Sequence, residues 1–94
     1  MNEWLYDYKK FIENTKLEIE IEMQELKNTI QNNTYTREEK KVVKDFVRSA
    51  IQSQFQDIDT LSNCIDEVEI LTILLDIVSY LKNLEIELIK LLGE

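Results

Sequence analysis

The chain has 94 residues, 44% apolar and 32% charged, with no proline, no histidine, one glycine, one alanine and one cysteine. That excludes a second core, a disordered or collagen-like composition and a disulfide scaffold, and so few helix breakers predict an all-α fold. Nineteen acids against eleven bases give a net charge of −8, which opposes binding to phosphate backbones and anionic lipid surfaces.

The first helix is expected over residues 3–32. At 100° per residue, Trp4, Tyr8, Phe11, Ile12, Ile19, Met23, Leu26 and Ile30 form one apolar stripe, its predicted core face. An eleven-residue echo aligns Trp4, Thr15 and Leu26, close to the period of a straight helix. The opposite side carries Tyr6, Leu17 and Ile21 among lysines and glutamates, more bulky apolar surface than a solvated face needs. Then comes a polar stretch, Asn32-Asn33-Thr34-Tyr35-Thr36, which ends in a capping-box pattern, Thr36 with Glu39 three residues on. A helix start at Thr36 follows.

The second helix, residues 37–60, sets Val43, Phe46, Val47, Ala50 and Ile58 on its apolar stripe, with Val42 and Ile51 at the borders. Its end is placed between Asp59 and Asn63, where several N-cap residues precede the acids Asp66, Glu67 and Glu69. The alternative is one continuous helix over residues 37–92, which would need a partner chain to cover its apolar side. The third helix, residues 63–92, has the most regular pattern. Ile70, Leu74, Ile77, Leu81, Leu84, Leu88 and Leu91 alternate in steps of four and three, and a second seam through Leu71, Leu75, Val78, Ile89 and Leu92 widens the face. Such a helix touches two neighbours, so the expected fold is a single-domain antiparallel three-helix bundle of long helices, with the third in the groove between the others. The bundle can double into a six-helix homodimer.

No stretch approaches the roughly 20 apolar residues of a membrane span. Residues 1–10 lack the basic opening and apolar run of a signal peptide, and one cysteine makes no internal disulfide, so a cytosolic, reducing setting is expected. On that reading Asn32-Asn33-Thr34, a formal glycosylation sequon, is a turn. The excess of Lys over Arg, with abundant Ile and Asn, is the bias that AT-rich coding DNA produces.

Chemistry-bearing patterns are few. Cys64 stands beside Asp66 and Glu67, which oppose its ionisation, and it reads as an inert or part-buried small residue. Counted from Asp57, a calcium loop would need an oxygen ligand, a glycine and a glutamate where Leu61, Ser62 and Val68 stand. Glu18, Glu22 and Glu25 line one helix edge, but a di-metal bundle site also draws on histidines. The only glycine is penultimate, so no phosphate-cradling loop exists. No metal, cofactor or catalysis is expected.

Charge arrangement remains. Residues 1–32 hold seven acids and four bases, residues 33–56 three and five, and residues 57–94 nine and two. Within the basic island Arg37, Lys41, Lys44 and Arg48 form one row, either balancing acidic neighbours or docking an acidic protein. The expected function is therefore an acidic, non-enzymatic inhibitor or regulator that occupies a surface of a target protein. Glu18, Glu22, Glu25, Asp66, Glu67 and Glu69 would face a basic target, and Tyr6, Leu17 and Ile21 would anchor it. Such a protein could mimic nucleic acid without binding it. Bacterial immunity proteins, phage anti-defence inhibitors and antitoxins are similar in size and charge, an analogy of type and not of residues. The alternative is a structural module whose apolar seams join copies or build an assembly.

Overall fold

The computed structural model describes residues 3–93, which form three helices and no strand. α1 spans Glu3–Gln31, α2 Arg37–Asn63 and α3 Val68–Leu92. They make an antiparallel three-helix bundle whose Cα atoms extend over 54 × 21 × 15 Å.

The start of α2 is fixed by the predicted capping box. Thr36 is extended (φ −69°, ψ 169°), its hydroxyl accepts the Glu39 N–H at 3.2 Å, and Glu39 Oε1 accepts the Thr36 N–H at 2.8 Å. Two otherwise unpaired donors are thereby satisfied. On the other side of the turn, the Asn33 side-chain amide donates to the Thr29 carbonyl at the end of α1.

The second break lies later than the region Asp59 to Asn63. α2 continues through Asn63, the turn occupies residues 64–67, and no continuous helix over residues 37–92 forms. The hydroxyls expected to cap a new helix instead bond back along the old one: Thr60 donates to the Gln56 carbonyl and Ser62 to the Asp59 carbonyl. Bonded back in this way, they do not cap a new helix. α3 then starts at Val68, and Glu67 at its N-cap makes no side-chain capping bond.

α3 is the shared element. Ile70, Leu74, Ile77, Leu81, Leu84 and Leu88 are all buried, as the seam predicted. Leu91 is an exception, exposed while its neighbour Leu92 is buried. A straight helix drifts about 20° per heptad against a 3.5-residue repeat, and by the last turn the drift has carried Leu91 off the core side. From α1 come Ile12, Ile19, Met23 and Ile30, and from α2 Val47, Ile51 and Ile58. Among the described residues no buried side chain is polar or charged.

Both α1 and α2 pack on α3, yet no Cα of α1 lies within 8 Å of a Cα of α2 among the described residues. α1 and α3 run parallel at a fixed offset. Lys9 pairs with Glu69, Lys27 with Glu87, and the Tyr80 hydroxyl reaches the Glu20 carbonyl, each across 60 residues.

The wide spacing of α1 and α2 explains the departures from the expected core. Trp4, Phe11 and Phe46 are 57%, 54% and 60% exposed, and Val42 is exposed with them. Ile51, expected at a border, is fully buried because the centre of the α2 stripe is rotated toward α3. Leu75 of the second α3 seam is also exposed, while Leu71, Val78 and Ile89 are half-buried.

Leu81→Ala is expected to cost about 2–5 kcal/mol in urea unfolding, because Leu81 fills the common core. Phe46→Ala should cost less than about 0.5 kcal/mol. Glu39 has its carboxyl held below the ordinary value by hydrogen bonds from the Thr36 backbone and side chain. Its contribution is therefore present above the ordinary carboxylate pKa and lost as pH falls through the lower folded value. Glu39→Gln should be less stable than wild type at neutral pH in thermal melts, with the gap closing under strongly acidic conditions.

Candidate functional site

The residues predicted to contact a partner fall into separate regions of the surface. Glu18, Glu22 and Glu25 are exposed on α1 and make no ion pair among the described residues. Asp66 and Glu67 sit in the turn before α3, and Glu69 in the first turn of α3. Glu69 is engaged, because Lys9 Nζ donates to its carboxylate at 2.9 Å and is itself held above the ordinary lysine value mainly by that hydrogen bond. Lys9 and Glu18 are nine positions apart on α1, about 14 Å along the axis, and on opposite flanks of the helix. The six acids do not form one surface.

Tyr6, Leu17 and Ile21 are exposed, as expected. Lys10 Nζ lies 5.6 Å from the centre of the Tyr6 ring, and Tyr6 borders a hollow with Lys9, Glu67 and Ile70 where α1 and α3 begin. Leu17 and Ile21 stand about three and four turns further along α1. Tyr6 therefore belongs with the helix starts, apart from the other two.

The basic row has a structural setting. Arg37, Lys41 and Lys44, joined by Lys40, ring an open hollow of about 510 Å³ beside Gly93. That hollow adjoins the C-terminus of α3, where unpaired carbonyls and the helix dipole favour cations. Arg48 approaches Asp45 of its own helix at 3.9 Å. Cys64, expected to be inert or part-buried, is a free thiol exposed in the second turn, because the turn falls on it.

Sequence reasoning missed the side of the bundle opposite α3. Lys9, Glu20 and Lys27 mark the flank of α1 that meets α3, and Phe55, Ile58 and Ser62 mark that of α2. Across the buried stripe from these lie Trp4, Tyr8, Phe11 and Leu26 on α1, and Val43, Phe46, Ala50 and Leu61 on α2. Trp4 and Tyr8 meet edge to face with centroids 6.4 Å apart, and Tyr8 and Phe11 are 6.1 Å apart. Burial and the neighbouring Cys64 push the Tyr8 hydroxyl above the ordinary tyrosine value, so it is neutral at physiological pH. The charged residues on these two flanks are Glu18, Glu22, Glu39 and Asp57, and no lysine or arginine of α1 or α2 falls among them. A helical wheel of each helix, marked by charge sign as well as hydrophobicity, carries this signal.

A second apolar hollow, about 380 Å³, opens between α2 and α3, with Phe55, Leu71, Leu75 and Val78 in its wall and Asp59 and Lys82 at its edge. Among the described residues no three Cys, Asp or Glu side chains gather closely enough to hold a metal ion, and no helix is long and apolar enough to cross a membrane. Comparison with protein-family models, with curated proteins and with solved structures gives no significant match.

Proposed function

We propose that this protein is an acidic, non-enzymatic binding protein, an inhibitor or regulator that acts by occupying a surface of a target protein. What supports the reading is the sorting of charge around α1 and α2. Lys9 and Lys27 pair with α3 and Arg37, Lys40, Lys41 and Lys44 gather at its C-terminal end, while the flanks that expose Trp4, Phe11 and Phe46 carry acids alone. An exposed apolar strip bordered by one sign of charge has the make-up of a docking surface for an oppositely charged partner, with aromatic anchors and electrostatic steering. The target would then be basic, and contact would need no chemistry from this chain.

One observation favours a second reading, an assembly module. Val68, Leu75 and Ile86 are exposed at spacings of seven and eleven on the outer side of α3. Those spacings place them on one stripe suited to another helix.

Retention from a lysate of the organism that carries the gene tests the first reading. A basic protein should be held in stoichiometric amount at about 0.05 M salt and released by about 0.3 M, since exposed charges more than a Debye length apart are screened there. Retention of nothing, or retention indifferent to salt, counts against it. Sedimentation velocity tests the second. A dimer converted to monomer by Leu75→Glu would establish assembly through α3, and a wild-type monomer would refute it.

A further inference from the structure

Resting on the binding-protein reading, the inference concerns where the partner sits and what it is made of. We propose that the open side between α1 and α2 receives a basic amphipathic helix of the partner protein, which completes a four-helix bundle.

The site is a trough left by incomplete closure. α3 holds α1 and α2 apart, and both present half-covered apolar flanks to the same side. Opposed levels of the two helices follow from their packing on α3. Lys9 lies against Glu69 at the start of α3, which the turn at residues 64–67 joins to the end of α2, so the start of α1 lies level with the end of α2. One end of the trough thus gathers Trp4, Tyr8 and Phe11 with Leu61, and the other Leu26 with Val43 and Phe46. Phe11 and Leu26 are 15 positions apart, about 22 Å at 1.5 Å per residue. Thr15 and Ala50, small side chains, lie between the two apolar ends, where a backbone can approach closely. A single straight helix of about 20 residues spans both ends, anchoring apolar side chains at intervals of three and four.

Charge selects the occupant. Glu18 and Glu22 border the trough on α1, Glu39 and Asp57 on α2, and no base interrupts them. A second copy placed face to face would bring these acids against the same acids, and like charges so placed oppose association. A helix with an apolar stripe flanked by lysine or arginine meets the aromatic ends and the acidic borders together.

The test uses the full chain, in which Trp4 is the only tryptophan and lies on the trough. The probe is a synthetic leucine–lysine amphipathic peptide of about three heptads without tryptophan, compared with its leucine–glutamate counterpart. The lysine peptide should shift Trp4 emission to the blue with one-to-one saturation, and binding should weaken about tenfold from about 0.05 to about 0.3 M salt. The glutamate peptide should have no effect. Phe46→Asp, at the far end from Trp4, should weaken lysine-peptide binding about tenfold, whereas Leu91→Asp, on α3 and outside the trough, should change it less than about twofold. Both variants replace an exposed apolar side chain and add one negative charge, so their difference reports position, and helical circular dichroism verifies that each is folded. Equal response to both peptides, equal effects of the two variants, or binding without a Trp4 shift would overturn the proposal. So would a free protein that is already dimeric with Trp4 shielded, since a second copy would then fill the trough. A lysate partner still captured by Phe46→Asp would refute this site and leave the binding-protein reading standing. Peptide binding as expected with no lysate partner would do the reverse.

Discussion

The bundle depends on one uninterrupted apolar seam, the side of α3 from Ile70 to Leu92. Every turn of that helix sends a branched aliphatic side chain inward, and no buried side chain in the described residues carries a polar atom needing a partner. In folded proteins most of a helix's stability comes from covering an apolar face and not from its intrinsic propensity. Here α1 and α2 each cover part of the same face and owe little to one another. A substitution in the α3 seam therefore loosens both neighbours together, whereas one in α1 or α2 acts through a single contact.

That dependence also arranges the charges. α3 presents Glu69 and Glu87 along one flank, and α1 meets them with Lys9 and Lys27 in matching register. At the other end of the molecule, Lys40 and its basic neighbours on α2 surround the C-terminal end of α3. Each exposed pair contributes about 0–1 kcal/mol, too little to hold the fold. Their larger effect is on the pattern that remains. With Lys9, Lys27 and the Lys40 group drawn to α3, the far flanks of α1 and α2 keep acids alone, beside aromatic residues that stay exposed. The docking surface proposed above is thus a by-product of how the core helix is served.

Much of the architecture was legible in the chain. Three long helices, the start at Thr36 and the α3 seam all follow from local patterns, because capping geometry and heptad spacing are decided within a few residues. The second break was less legible. Thr60 and Ser62 are equally able to begin a helix or to bond backward along one, and sequence spacing does not distinguish the two. The exposure of Trp4, Phe11 and Phe46 was hidden for a different reason. Periodicity says which residues share a stripe, but how wide a stripe is covered depends on how closely neighbouring helices approach. The candidate contacts suffered likewise: Glu69 was identified by residue type, and its actual neighbour, Lys9, lies 60 positions away on another helix, in a direction that the three-dimensional arrangement determines.

The constant offset of 60 residues between α1 and α3 separates two kinds of contact within one core. α2 and α3 are joined by a four-residue turn and zip together as a hairpin from that end. α1 reaches α3 only across the whole of α2, and closing so long a loop carries a larger entropic penalty than closing the turn. Helices adjacent in the chain, α1 and α2, give no return on that penalty by touching each other. The first third of the polypeptide is consequently the segment least secured by its covalent neighbours, and its detachment would uncover half of the oily spine that the remaining hairpin cannot shield by itself.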